Sequence, residues 1–204
     1  MEQPKAGSRP RRILIEWGSL ALAILLLTAG LRLFVAQAFY IPSGSMLPQL
    51  QINDRIVVSK LAYRLHSPRR GDVVVFDAPS TMVAPKPPRS LPVRIGRGLL
   101  EGINVVKPAK TEFVKRVVGL PGDELESRNG NVYVNGSLLV EPYLPAGVRT
   151  TNLGPVRVPK GTLFVMGDNR TGSSDSRVFG PVPRRTVVGR AVMKVWPVGS
   201  ASWL

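Results

Sequence analysis

The sequence predicts a mainly β protein, a single compact domain of short strands behind one N-terminal apolar helix. Three observations carry this. Trp17 to Leu31 reads WGSLALAILLLTAGL without a charge. After Pro42, short Val/Ile-rich runs alternate with turn residues. Nineteen prolines and twenty glycines among 204 residues leave little room for long helices beyond the N-terminal region.

Residues 1–12 form a polar, basic tail carrying Lys5, Arg9, Arg11 and Arg12. The uncharged run alone would span only ~23 Å as a helix, whereas Ile13 to Val35 would span ~34 Å, enough for a bilayer core. Glu16 and Arg32 lie near the ends, where long charged side chains reach the headgroups, and Trp17 and Tyr40 suit the interfacial belts. The Ala36-Gln37-Ala38 triplet resembles the cleavage site of a removable signal. The apolar run is long for such a signal, and a cut there would leave the chemistry below only a few residues from a new N-terminus. The expectation is therefore a retained transmembrane anchor over 13–35. Its basic flank places the N-terminus in the cytoplasm and a domain of residues 36–204 outside.

Strands are expected at Arg55–Lys60, Asp72–Phe76, Glu112–Val118, Gly161–Met166 and Val187–Trp196. Asn129-Gly130 and Asn135-Gly136 flank Val-Tyr-Val, the strongest hairpin signal in the chain. Residues 78–110 read as a proline-rich insertion with an amphipathic turn near 98–103.

Composition narrows the chemistry. The chain has no cysteine, which excludes disulfides, a thiol nucleophile and a cysteine-based zinc site. Neither a metal nor another cofactor is expected. The net charge is +15, most of it beyond the N-terminal tail, which favours anionic lipid headgroups. No nucleic-acid partner is expected, because the few aromatics are not interleaved with basic residues. A monomer is expected.

A single histidine, His66, sits beside Pro68, Arg69 and Arg70, where positive neighbours disfavour an imidazolium. A Ser–His–Asp triad thus has poor support, and a serine–lysine pair is the remaining route. Lysine serves as a general base only when burial lowers its pKa, so it needs apolar neighbours. Lys115 has them in Phe113, Val114, Val117 and Val118. Strand alternation turns Lys115 inward with Phe113 and Val117 and turns Arg116 outward. The serine segment is IPSGSMLPQL, with Ser43, Gly44 and Ser45 on a turn between prolines. A third segment, GDNRTGSSDSRVFGPVP, is dense in Asp, Arg and Ser. Its Asp168, Arg170, Asp175 and Arg177 are candidates for an ion-pair network bracing a site.

Taken in order behind an anchor, PSGSMLP, GDVVVF, KRVVGLPGD and GDNRTGSSDSR resemble the type I signal peptidases (leader peptidases) of bacteria and organelles, over residues 13–196 or so. The resemblance implies a β-rich catalytic core with a variable β cap, here a small one over 124–160. It implies Ser45 as nucleophile, Lys115 as general base, and an oxyanion hole built from Ser43 and the Ser45 N–H. Ser173 matches the serine that orients the lysine amine. Asp175 and Arg177 match a supporting ion pair, and Asp168 and Arg170 belong to the same support. Phe39, Ile41, Met46, Leu50, Phe113 and Val114 are expected to line shallow apolar substrate pockets. The implied substrates are signal-peptide-bearing preproteins cut after small residues of the Ala-x-Ala type. The chain departs from the family pattern at Gln49, Thr171, Gly172 and Val178-Phe179. Two other readings stay open: a Ser–Lys maturation peptidase dedicated to one substrate, and a membrane scaffold without catalysis.

Overall fold

The computed structural model describes residues 9–34, 36–79, 82 and 112–204. Helix α1 (Arg9–Phe34) forms from the Leu/Ala run and stops just short of β1 (Ala36–Tyr40). Among the described residues no helix is long and apolar enough to cross a membrane. The expected span 13–35 extends over side chains at 29–35 that lie outside the described residues. The tail 1–8 and almost all of the proline-rich stretch 78–110, with its turn near 98–103, also lie outside them.

The remaining elements are β2 (Arg55–Ser59), α2 (Ala62–Leu65), β3 (Val73–Asp77), β4 (Glu112–Gly119), β5 (Glu124–Arg128), β6 (Asn131–Val134), β7 (Ser137–Leu138), β8 (Leu153–Arg157), β9 (Thr162–Met166), α3 (Ser176–Phe179), β10 (Val182–Pro183), β11 (Val187–Trp196) and β12 (Ser202–Trp203). The larger sheet has the order β1-β2-β11-β3-β4-β9-β10, with β12 also on β11. The smaller sheet has the order β7-β6-β5-β8 and is built from Glu124 to Arg157. Every pairing in both sheets is antiparallel.

The uninterrupted Val73-Val74-Val75-Phe76 run has a direct cause. Val73 and Val75 pack into one cluster with Phe39, Ile41, Met46, Leu50 and Ile56, while Val74 and Phe76 pack into another with Val117, Leu163 and Val165. A strand covered on both faces needs no polar alternation. A third cluster, including Val118, Leu125, Val132, Phe164 and Met166, joins the two sheets.

The Asn-Gly pairs do what such pairs do in tight hairpins. Asn129 and Gly130 have φ of 54° and 86°, and Asn135 and Gly136 have 51° and 77°. Two successive left-handed residues match the right-handed strand twist on either side of β6.

Some strands escape sequence reasoning. β1 looks like the tail of the apolar run, and its pairing partner lies about twenty residues onward, with Ala36 opposite Ser59. β8 contains Gly154 and Pro155, which suppress a strand signal; it pairs only with β5, where a missing N–H is tolerated.

Candidate active site

Residues 41–54 form a closed loop on the end of β1. Ile41 N–H donates to Asp54 O at 2.9 Å, and Asn53 N–H donates to Ile41 O at 2.9 Å. Within it, Gly44–Met46 make a single 3-10 turn. Met46 and Leu50 beside that turn are buried in the core, so the serine rides on a fixed base. Asp54 holds the far side of the loop, accepting from Gln51 N at 2.8 Å and pairing with Lys194 at 3.6 Å.

Lys115 lies mid-way along β4, opposite Val74 of β3, and is 4% exposed. Its Nζ lies 2.7 Å from Ser45 Oγ and 3.0 Å from Val114 O. The Phe113 ring lies 5.4 Å away. Burial lowers the Lys115 pKa from 10.5 to about 8, against the opposing pull of the Asp175 and Asp168 carboxylates. Ser43 Oγ sits 3.5 Å from Ser45 Oγ, on the exposed side of the turn.

The loop after β9 forms the third wall. Asp175 accepts from Gly167 N–H at 2.9 Å and from Arg177 three times, from its guanidinium at 2.8 and 2.7 Å and from its backbone N–H at 3.2 Å. Asp168 does not pair with Arg170. It grips Arg116 in a two-pronged contact at 2.9 and 2.6 Å. Arg170 instead reaches into the smaller sheet's connections, to Glu141 at 2.9 and 2.5 Å and to Thr150 at 2.8 Å.

Several expectations are corrected. Arg116, expected to face outward, is 3% exposed. The face of β4 opposite the lysine is covered, so the guanidinium is enclosed. Asp168, Gly71 O and Gln49 satisfy its donors, and the Tyr143 ring stacks 4.0 Å from it. Ser173 makes no bond to the lysine amine; its hydroxyl is buried without a partner, because Nζ is directed to Ser45 and Val114. Among the expected pocket residues, Ile41, Met46 and Leu50 are all buried core, at most 2% exposed. Phe113 packs with Phe76 and Phe179 at centroid distances near 6 Å, apart from the cluster that holds Phe39, Ile41 and Met46, against which Val114 packs. His66 ends α2 and packs edge-on against Tyr63. Sequence reasoning did not single out Asn169 or Glu141, since nothing local marks one amide or carboxylate in a polar loop, and it marked Gln49 only as a departure from the family pattern.

Residues 14–196 match the family described as signal peptidase, peptidase S26. The chain belongs to the signal peptidase family. The probable signal peptidase I-2 of Synechocystis is 41% identical to this peptidase over 95% of the chain and 78% of that relative. Signal peptidase I of Leptolyngbya laminosa is 39% identical over 96% of the chain and 84% of that relative. Signal peptidase I of Mycobacterium tuberculosis is likewise 39% identical, over 96% of the chain and 76% of the relative. The peptidase is thus a hydrolase whose family members are signal peptidases.

Proposed function

We propose that this signal peptidase removes signal peptides from preproteins by acyl-enzyme chemistry, with Ser45 as nucleophile and Lys115 as general base. The observation that carries the reading is a buried amine 2.7 Å from a hydroxyl on a turn. A neutral Lys115 donates one hydrogen to Val114 O and turns its lone pair to the Ser45 hydroxyl, which donates to it. As Ser45 Oγ attacks the scissile carbonyl, its proton passes to Nζ. The resulting ammonium then protonates the departing amine, and the neutral base regenerated activates water to hydrolyse the ester. No step calls for a metal or an organic cofactor.

Ser43 Oγ and the Ser45 N–H are the donors for the oxyanion. Ser43→Ala is expected to lower kcat by roughly 10²–10³ with KM little changed, the usual result of removing one such donor. Steady-state cleavage of a fluorogenic Ala-x-Ala peptide checks it. Small residues before the cut fit a site beside Val114, which packs against the cluster of Phe39 and the buried Met46.

The membrane-anchor reading, with the N-terminus cytoplasmic and the peptidase domain on the far side, is supported by α1. Ile24, Leu25, Leu26 and Leu27 point in four directions around the helix and are each 56–65% exposed. A helix apolar on every side is stable only in an apolar surround. Tethering enzyme and preprotein in one bilayer raises their effective concentration. Removing residues 1–34 is therefore expected to leave cleavage of a water-soluble peptide intact while slowing cleavage of a membrane-embedded preprotein by at least about tenfold. Equal loss on both substrates would sink the tether. The net charge of +15 fits anionic headgroups.

The overall reading is tested by incubating a model preprotein in detergent with wild type, Ser45→Ala and Lys115→Ala. A scaffold would cleave in none of the three, and a dedicated maturation enzyme would refuse a generic Ala-x-Ala precursor.

A further inference from the structure

We infer that Asn169 is a positioning residue for this reaction: seated against Gly172, its carboxamide locks the Gly44–Ser45 peptide so that the Ser45 N–H faces the oxyanion. The inference rests on the assignment of Ser45 and Lys115 above and goes beyond it.

Three bonds of Asn169 form the clamp, beside a fourth in which Gly172 N–H donates to Asn169 O at 3.2 Å. Its backbone N–H donates to Ser45 O at 3.1 Å. Its side-chain Nδ2 donates to Gly44 O at 3.1 Å. Its Oδ1 accepts from Gly172 N–H at 3.1 Å, which fixes which end of the amide faces the turn. One residue thus holds the carbonyls on both sides of the Ser45 α-carbon.

Peptide planarity gives this clamp its consequence. In a trans peptide the C=O and N–H point in opposite directions. The group bonded to Asn169 is the carbonyl of the same peptide whose N–H belongs to Ser45. Anchoring Gly44 O therefore aims the Ser45 N–H away from the 167–173 loop. Gly44 O also accepts from Leu47 N–H of its own turn at 3.2 Å, and Asn169 adds the restraint from outside that turn, where a residue without a Cβ rotates at little cost. A preoriented donor contributes to catalysis because no reorganisation is required when charge appears on the oxygen.

The loop is fitted to this task. A Cβ on Gly172 would lie 2.5 Å from Asn169 Nδ2 and 2.9 Å from its Cγ, displacing the amide. A Cβ on Gly167 would lie 2.5 Å from Ser45 O, so only glycine lets the loop approach the nucleophile's own carbonyl. Gly172, a departure from the family pattern, is thus explained as the seat of the amide.

The test uses the full-length enzyme in detergent with a fluorogenic Ala-x-Ala peptide, rates being expressed per folded molecule from unfolding curves. Asn169→Ala is expected to lower kcat by roughly 10–100-fold with KM within about twofold, the scale of loss from a slightly misplaced catalytic group. Asn169→Asp should fare no better, since a carboxylate oxygen would face Gly44 O. Gly172→Ala, which leaves the amide present but shifts it, should follow in the same direction and serves if Asn169→Ala does not fold. The exposed Thr171→Ala is the unaffected control. The decisive readout is a double-mutant cycle with Ser43→Ala. If Asn169 sets the oxyanion donor, Ser43→Ala costs several-fold less in the Asn169→Ala background than in wild type. An unchanged Ser43→Ala factor, or wild-type kcat in both Asn169→Ala and Gly172→Ala, would overturn the inference. Wild-type cleavage by Ser45→Ala or Lys115→Ala would instead overturn the site assignment beneath it.

Discussion

Ser45→Ala and Lys115→Ala are each expected to lose signal-peptide cleavage by at least roughly 10⁴-fold in kcat, with the double variant no worse than either alone. Members of a nucleophile–base pair act as one unit, so removing the first already removes the function of the second. The wild-type pH profile carries the signature of the base. With the Lys115 pKa lowered to about 8, kcat/KM is expected to rise tenfold per pH unit up to about pH 8 and to level off above it. A profile flat from pH 6 to 9 would contradict the assignment.

The same shift has a stability consequence of definite sign. The unfolded chain keeps the Lys115 proton up to 10.5, whereas the folded chain releases it near 8. Folding is therefore favoured as pH rises through that window, and below it the buried ammonium opposes folding. Lys115→Met removes the buried charge at the expense of leaving Val114 O without its donor. The inactive variant is expected to be more stable than wild type at pH 7 by about 1–2 kcal/mol, read from urea unfolding.

The second large effect is on the fold. Asp168→Ala leaves the Arg116 guanidinium buried and without its carboxylate, which typically costs ~3–5 kcal/mol. In a chain of this size that lowers Tm by roughly 10 °C. Arg116→Met combined with Asp168→Leu is expected to recover most of the loss, since neither charge is then stranded. Asp168→Asn adds a kinetic readout. Asp168 raises the Lys115 pKa, so replacing its carboxylate by a neutral amide moves the acid limb of the pH profile to lower pH. A limb that stays in place, or moves up, would show that this carboxylate does not act on the amine.

The buried Arg116 shows where sequence reasoning reaches its limit. Alternation along β4 correctly separates Lys115 from Arg116 onto opposite faces, because it depends only on the strand's period of two. Whether the second face is wet depends on what covers it. Here Gln49, Tyr143 and Asp168 do so, from segments far apart in the chain. Ser173 illustrates the same limit at finer scale. Its presence is legible, but the direction of its hydroxyl is set by packing near Gly167. Asn169 is harder still. An amide in a polar loop has no local pattern, and its meaning appears only when the loop lies against Ser45.

The sequence alone determined the apolar N-terminal helix, most strands of the larger sheet and both Asn-Gly turns, and it pointed to a serine–lysine pair. Each follows from local chemistry: hydropathy runs, left-handed turn residues, and the absence of cysteine with a single histidine in a basic setting. Tertiary structure alone decided that Lys115 Nζ meets Ser45 Oγ, that Arg116 is enclosed, and that Arg170 is committed to Glu141. These contacts join residues 70, 52 and 29 positions apart. Such distances are closed by packing two sheets around shared clusters, and no local periodicity encodes them.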